Sequence, residues 1–346
     1  TSHGLPVFKS DRQFSDVFQR AVLHQMTPVP QRLLSYAQSD YLSCLAMIGH
    51  NYTVRVSHPL SFQETLNGIH GVKYVDSVNK SKTTAAGLGF GLKKEDWYEV
   101  TLREYGNWIE MKEPLRICVE NMDSDLRGGN PITLVFNADL KEEPRPLDKV
   151  DKLRVFAVPN VASNIIVKRY FCPIASYMYL CPGYSEQFQG MNVSDRDAHD
   201  MTMHVLRYGD RLVEGDYKKY DTMLSKQMIL AAGGVFATVA GWIGYSKEEV
   251  RAVELIMVSI ANAYWNYNGT LVQFNGYNPS GIWITILIAG TCNCLLKRIV
   301  YCSLYESRGL PLPGPFREHV STMTVGDDSL DGVSTDNLLY SFSNIR

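Results

Sequence analysis

Four stretches of this chain carry side chains suited to phosphate and metal chemistry. Gly326-Asp327-Asp328 sets two carboxylates side by side in a tight turn. Like charges so placed repel unless a cation lies between them, and hard oxygen ligands of this kind select Mg²⁺ or Mn²⁺. Asp216 and Asp221 bracket a second acidic segment, Asp-Tyr-Lys-Lys-Tyr-Asp, at the end of an apolar run. Asn278-Pro279-Ser280-Gly281 is a turn that opens a long apolar stretch containing Thr285. Between 141 and 154, Lys141, Arg145, Lys149, Lys152 and Arg154 are interleaved with four acids. An arginine fork binds phosphate oxygens bidentately, and lysine acts as a point charge beside it. Taken singly each is ordinary: Gly-Asp is common turn chemistry, serine caps helices, and a charged loop of net +1 is usually a solvated one.

Such residues need elements to bring them together. The pattern predicts a strand over 211–215 that ends at Asp216, and a strand over 319–325 that turns at Gly326-Asp327-Asp328 into a returning strand. Helices are predicted over 194–206, over 222–243 where Gly233-Gly234 softens it, over 247–265 with Glu248 and Glu249 in the first turn, and over 281–306. A short strand is predicted over 270–275. Residues 1–185 are broken by Pro and Gly and read as loops and short strands around small helices. Strands and helices alternate without a strict βαβ rhythm. The expected class is α+β, an antiparallel palm-like sheet backed by helices.

Composition sets outer limits. The chain has 346 residues, 45% hydrophobic and 20% charged, which excludes disordered, collagenous and coiled-coil classes. Its net charge of -2 gives no global field for nucleic acid, so any such partner is held locally. The halves differ slightly: 21 basic and 19 acidic residues precede 171, and 13 and 17 follow, leaving +2 and -4. Seven cysteines without a CxxC pair suggest a reducing compartment rather than a disulfide framework or zinc site. The opening lacks a secretory pattern, so a processed product or fragment is expected, and the sequons at Asn51, Asn192 and Asn268 carry no meaning. The most apolar run, 282–296, is short and interrupted by polar residues, which predicts a buried helix and no transmembrane segment.

The order of the four stretches is what makes them recognisable. The sequence resembles the RNA-dependent RNA polymerases of positive-strand RNA viruses, the picornavirus-like group in particular, over about residues 80–330. Thr83 to Gly87 is similar to motif G, the basic loop to motif F, Asp216 to Asp221 to motif A, Ser280 to Asn293 to motif B, and Thr324 to Asp328 to motif C. The resemblance implies a right-hand architecture: fingers over 1–185, palm over 186–268, a hairpin at 269–279 returning to the fingers, and palm again over 280–346. It implies a nucleotidyltransferase that adds NTPs to an RNA 3′-hydroxyl with two Mg²⁺ or Mn²⁺ ions. The metal carboxylates would be Asp216 and Asp327, with Asp328 in support. NTP contacts would come from Lys141, Arg145, Arg154, Asp221, Ser280, Gly281 and Thr285, and template RNA would pass Thr84, Ala85, Ala86 and Gly87. Implied partners are RNA template and primer, a protein primer and other viral replication proteins, in membrane-associated complexes of the host cytoplasm.

The chain also departs from that family. Ala289-Gly290 stands where motif B usually has Asn-Ser, although Asn293 follows four residues later. The missing Asn normally belongs to the network that senses the ribose 2′-hydroxyl. Asp221 then needs another donor, and Ser280 and Thr285 are expected ahead of Asn293. Val325 replaces a frequent Tyr, the basic loop is about two residues short near Lys152, and 18 residues follow Asp328 where the family continues through motifs D and E and a thumb. Two other readings fit less well. A reverse transcriptase would carry an aromatic gate near Asp221 and seldom has Gly326; a catalytically silent RNA-binding fragment would not need the intact acids, although the missing thumb argues for it in this chain.

Overall fold

The structure, a computed structural model, describes residues 3–5, 7, 27–78, 87, 89–91, 93–104, 106–141, 143–150, 154–192, 194–215 and 217–345. The strands that position the site are β1 (Val135–Leu140), β2 (Val155–Pro159), β3 (Leu212–Gly215), β4 (Tyr264–Tyr267), β5 (Thr270–Gln273), β6 (Val320–Val325) and β7 (Asp328–Val333). The helices are α1 (Gln31–Asn51), α2 (Glu113–Arg127), α3 (Val161–Met178), α4 (Lys226–Ile243), α5 (Lys247–Ala261) and α6 (Thr285–Glu306).

One sheet has the order β2-β1-β4-β5, with β1 antiparallel to β2 and parallel to β4. The other, β6-β7-β3, is antiparallel throughout. The expected hairpin therefore forms, with Val325 opposite Asp328 across its turn. Helix α6 is apolar on nearly every face because it lies in the core, from Leu287 to Tyr305. It and α4 are long and apolar enough to cross a membrane, yet 78% and 61% of their most apolar windows are buried inside the fold. Gly233 lets α4 and α5 meet, since a Cβ there would lie 2.9 Å from that of Met257.

Three expectations on the elements are corrected. The helix from 247 stops at Ala261, where Asn262 turns its amide back onto the Val258 carbonyl at 2.7 Å. The next residues, Tyr-Trp-Asn-Tyr, favour a strand, and Trp265 buries its ring against Phe136, Phe274 and Tyr277. The helix over 222–243 is split, and Ser225 starts α4 by accepting from the Met228 N–H. The helices before 185 are not small: α1 has 21 residues and α3 has 18. Pro28 and Pro30 stand just ahead of α1, and Pro173 lies within α3.

Arg298 of α6 joins the two ends of the fold. Fully buried, it donates to Asp40 of α1 at 2.6 Å and to both carboxylate oxygens of Glu186 at 2.7 and 2.8 Å. The rings of Tyr41 and Phe316 sit 4.9 and 4.6 Å from its guanidinium carbon. A buried charge is tolerable only with partners of this kind.

Candidate active site

The β6-β7 hairpin ends at Gly326, whose φ of +66° suits a residue without a Cβ. Asp327 and Asp328 are both exposed at its tip. From behind, Asn293 of α6 donates to the carbonyl oxygens of Gly326 and Asp327, each at 3.1 Å, and accepts from the Tyr217 hydroxyl at 3.2 Å. The sequence reading gave Tyr217 no role. Strand β3 runs beside β7 with Gly215 opposite Ser329. β3 thus ends at Gly215, beside the residue that follows Asp328; Asp216 lies outside the described residues.

Asp221 sits on a short helical turn, Tyr220–Met223, and is partly buried. Burial pushes its carboxyl up to about 6, and the negative charge of Asp327 adds to that push. A hydrogen bond from Asn278 and the charges of Arg154 and Lys141 oppose it. Residues from three parts of the sequence therefore act on one carboxyl group.

The two cations come from the end of the β1-β2 ladder, where the Lys141 N–H donates to the Arg154 carbonyl at 2.9 Å. Glu143 bridges their side chains, 2.6 Å from the Lys141 ammonium and 3.5 Å from the Arg154 guanidinium. Lys141 first, then Arg154 and Arg145, hold the Glu143 carboxyl below its ordinary range. Arg145 lies in a two-residue strand pair with Gly4 and joins this group through Glu143. Lys152 lies outside the described residues.

Ser280 and Gly281 close against β2. The Ser280 hydroxyl accepts from the Ala157 N–H at 3.3 Å, and a Cβ on Gly281 would fall 1.9 Å from the Ala157 carbonyl oxygen. Gly87 reaches the same strand end, where a Cβ would fall 2.4 Å from the Pro159 carbonyl oxygen. Thr84, Ala85 and Ala86 lie outside the described residues. Beyond Gly281 a cavity of about 560 Å³ is bordered by Lys94, Lys168, Gln189 and Trp283. Burial lowers the affinity of both lysines for their protons.

One expectation about the site is corrected. Neither Ser280 nor Thr285 donates to Asp221: the Thr285 hydroxyl is directed to the carbonyls of Pro279 and Ile282, at 2.5 and 2.7 Å. The donor is Asn278, at 3.0 Å. Its sequence context, Asn-Pro-Ser-Gly, reads only as a turn, so no local signal marks it.

The family profile described as viral RNA-dependent RNA polymerase matches residues 25–345. The chain is 28% identical over 289 residues to the genome polyprotein of avian encephalomyelitis virus (strain Calnek vaccine), covering 80% of this chain and 12% of that polyprotein. It is 25% identical over 251 residues to the replicase polyprotein of cricket paralysis virus, covering 70% of this chain and 14% of the other. A solved structure, the sicinivirus 3Dpol RNA-dependent RNA polymerase, superposes with a TM-score of 0.73 at 20% identity, over 96% of this chain and 65% of that one. The chain thus spans a small part of the polyproteins it matches and about two thirds of the polymerase chain. With the profile covering nearly every residue and the α+β right-hand fold shared, the chain belongs to the viral RNA-dependent RNA polymerase family.

Proposed function

We propose that this chain supplies the fingers and palm of an RNA-directed RNA polymerase that copies a positive-strand viral genome. The observation that carries the reading is the exposed Asp327-Asp328 turn, fixed from beneath by Asn293 and set on a strand that pairs with the one preceding Asp216 in sequence. In this reading the fingers are residues 1–185, joined by the 269–279 hairpin, and the palm is 186–268 and 280–346. The sheet that unites β1 and β2 with β4 and β5 supports that return to the fingers.

The acids suit a hard divalent cation. Asp327 and Asp328 stand exposed side by side, and the charge of Asp327 is felt at Asp221, negative charge that a cation would relieve. Asp216, Asp327 and Asp328 would hold two Mg²⁺ or Mn²⁺ ions, which when bound activate the primer 3′-hydroxyl and neutralise the departing pyrophosphate. Lys141 and Arg154 orient the triphosphate, with Arg145 behind them. Asp221 reads the ribose, flanked by Ser280, Gly281 and Thr285. Template RNA passes Gly87 and the segment before it, gripped through backbone charge and stacking rather than by base sequence. NTPs, RNA template and primer are the substrates. The polyprotein origin of the relatives supports other viral replication proteins as partners; a protein primer and membrane-associated complexes of the host cytoplasm complete the reading.

Primer extension by the whole polymerase that carries this chain tests it, with ribo- and deoxyribonucleotides on RNA and DNA templates. RNA-templated ribonucleotide addition that falls about 10³-fold or more in Asp327→Asn is the expected result. Addition that is indifferent to Asp327 would overturn it.

A further inference from the structure

The turn ahead of α6 is tied to the acidic turn with unusual completeness. The Gly276 N–H donates to the Ala261 carbonyl at 3.0 Å, that of Tyr277 to Leu224 at 2.8 Å, and that of Asn278 to Asp221 at 2.9 Å. Tyr277 adopts φ +74°, a left-handed conformation that costs a non-glycine residue energy, and its ring packs 4.5 Å from that of Trp265. Strain retained inside such a framework points to a placement that matters, and the next residue is Asn278.

Asn278 is fully buried. Its amide nitrogen donates to Asp221 Oδ1 at 3.0 Å and to the Thr285 carbonyl at 3.1 Å. The other candidates are committed elsewhere. Thr285 is bound within its own turn, Ser280 receives the Ala157 N–H, Asn293 holds the hairpin tip, and Ala289 has no side-chain donor. Among the described residues, Asp221 Oδ2 accepts no hydrogen bond.

We propose that Asn278 is the positioning residue for ribose recognition. By holding Oδ1 of Asp221, it presents Oδ2 to the 2′-hydroxyl of the incoming nucleoside triphosphate. The inference rests on the polymerase reading above. It moves the sugar-sensing amide from the α6 position now occupied by Ala289 to the turn that precedes the helix. No bond is made or broken in this role. Asn278 acts only through the carboxylate.

The test is single-nucleotide incorporation by the whole polymerase, ATP against dATP opposite template U, with kcat and KM measured separately. Asn278→Ala should lower the ATP-over-dATP ratio of kcat/KM by about tenfold or more, with the loss lying mainly in the KM for ATP. Asn278→Ser, which restores a short donor, should recover part of the ratio. If the alanine variant does not fold, the serine variant carries the test alone and should stand measurably below the wild type. A ratio within about twofold of wild type in a folded variant overturns the inference, as does a fall confined to Asn293→Ala or Thr285→Ala. Absence of any RNA-templated incorporation by the wild type would instead overturn the polymerase reading.

Discussion

Asn293 donates its side-chain amide to the backbone of Asp327, at 3.1 Å, from a helix that begins only after the last strand of the other sheet. The same amide holds Gly326, so the exposed carboxylates stand on a turn fixed from beneath. Asn293→Ala removes a fully buried amide and leaves the two carbonyls it served without that donor, at a cost of about 2 kcal/mol. Extension should slow about tenfold while the fold persists, read from single-turnover rates beside a thermal melt. Tyr217→Phe, which removes only the support at Asn293 Oδ1, should have a smaller effect in the same assay.

Gly281→Ala should be more damaging than its size suggests. The added methyl would fall 1.9 Å from the Ala157 carbonyl oxygen, so β2 or the turn must move. Overpacking of this kind costs about 1–3 kcal/mol, and the displaced Ser280 turn carries Asn278 with it. A lowered melting temperature together with lost ribose preference is expected. Unchanged values of both would mean that the strand yields freely.

Titration of Asp221 sets a pH dependence whose sign is fixed. Its carboxyl is raised from an ordinary value of 3.8 to about 6, so between those limits the folded protein holds a proton that the unfolded chain has released. Stability therefore falls as pH rises through that window, and ionised Asp221 is a net cost above it. In metal-free protein Asp221→Asn should melt higher than wild type at pH 7.5, by about 2 °C or more, and the difference should narrow below pH 6 and close toward 3.8. Melts across pH with a chelator present check this. A difference that grows toward acid pH would contradict it.

Glu143 occupies the cations that a triphosphate would need. Both of its ion pairs are largely solvent-exposed, so they add little to stability. Glu143→Gln should leave the melting temperature unchanged and lower the KM for NTP about two- to fivefold at low salt, an effect that fades as salt screens the charges. A raised KM would show that the acid instead preorganises Lys141 and Arg154.

How far the sequence carried the reading depended on range. The hairpin at Gly326 and the strand into Asp216 were legible because apolar runs and turn residues are local signals. The same logic read the Pro- and Gly-broken stretch before 185 as holding only small helices, where Pro28 and Pro30 in fact stand just ahead of a long one. It also carried α5 through Asn262 into residues that pair with β1, because nothing within the segment announces a partner strand 129 residues earlier. In the site, the carboxylates and the basic loop were named from residue type and order. Asn278 was not named as a donor, because its chemistry exists only with Asp221, 57 residues away.

The Asp40–Arg298 contact spans 258 residues, and that span has a consequence for how the chain comes to be folded at all. At translation rates of 5–20 residues per second, roughly 13–50 s separate the synthesis of α1 from that of its partner arginine. During that interval the apolar side of α1, with Leu34, Tyr41, Leu45 and Ile48, waits for the helix that will cover it. Closure is therefore late and dominated by distant contacts, the slow regime of folding. A host chaperone that shields a nascent apolar helix would find its longest opportunity on this segment.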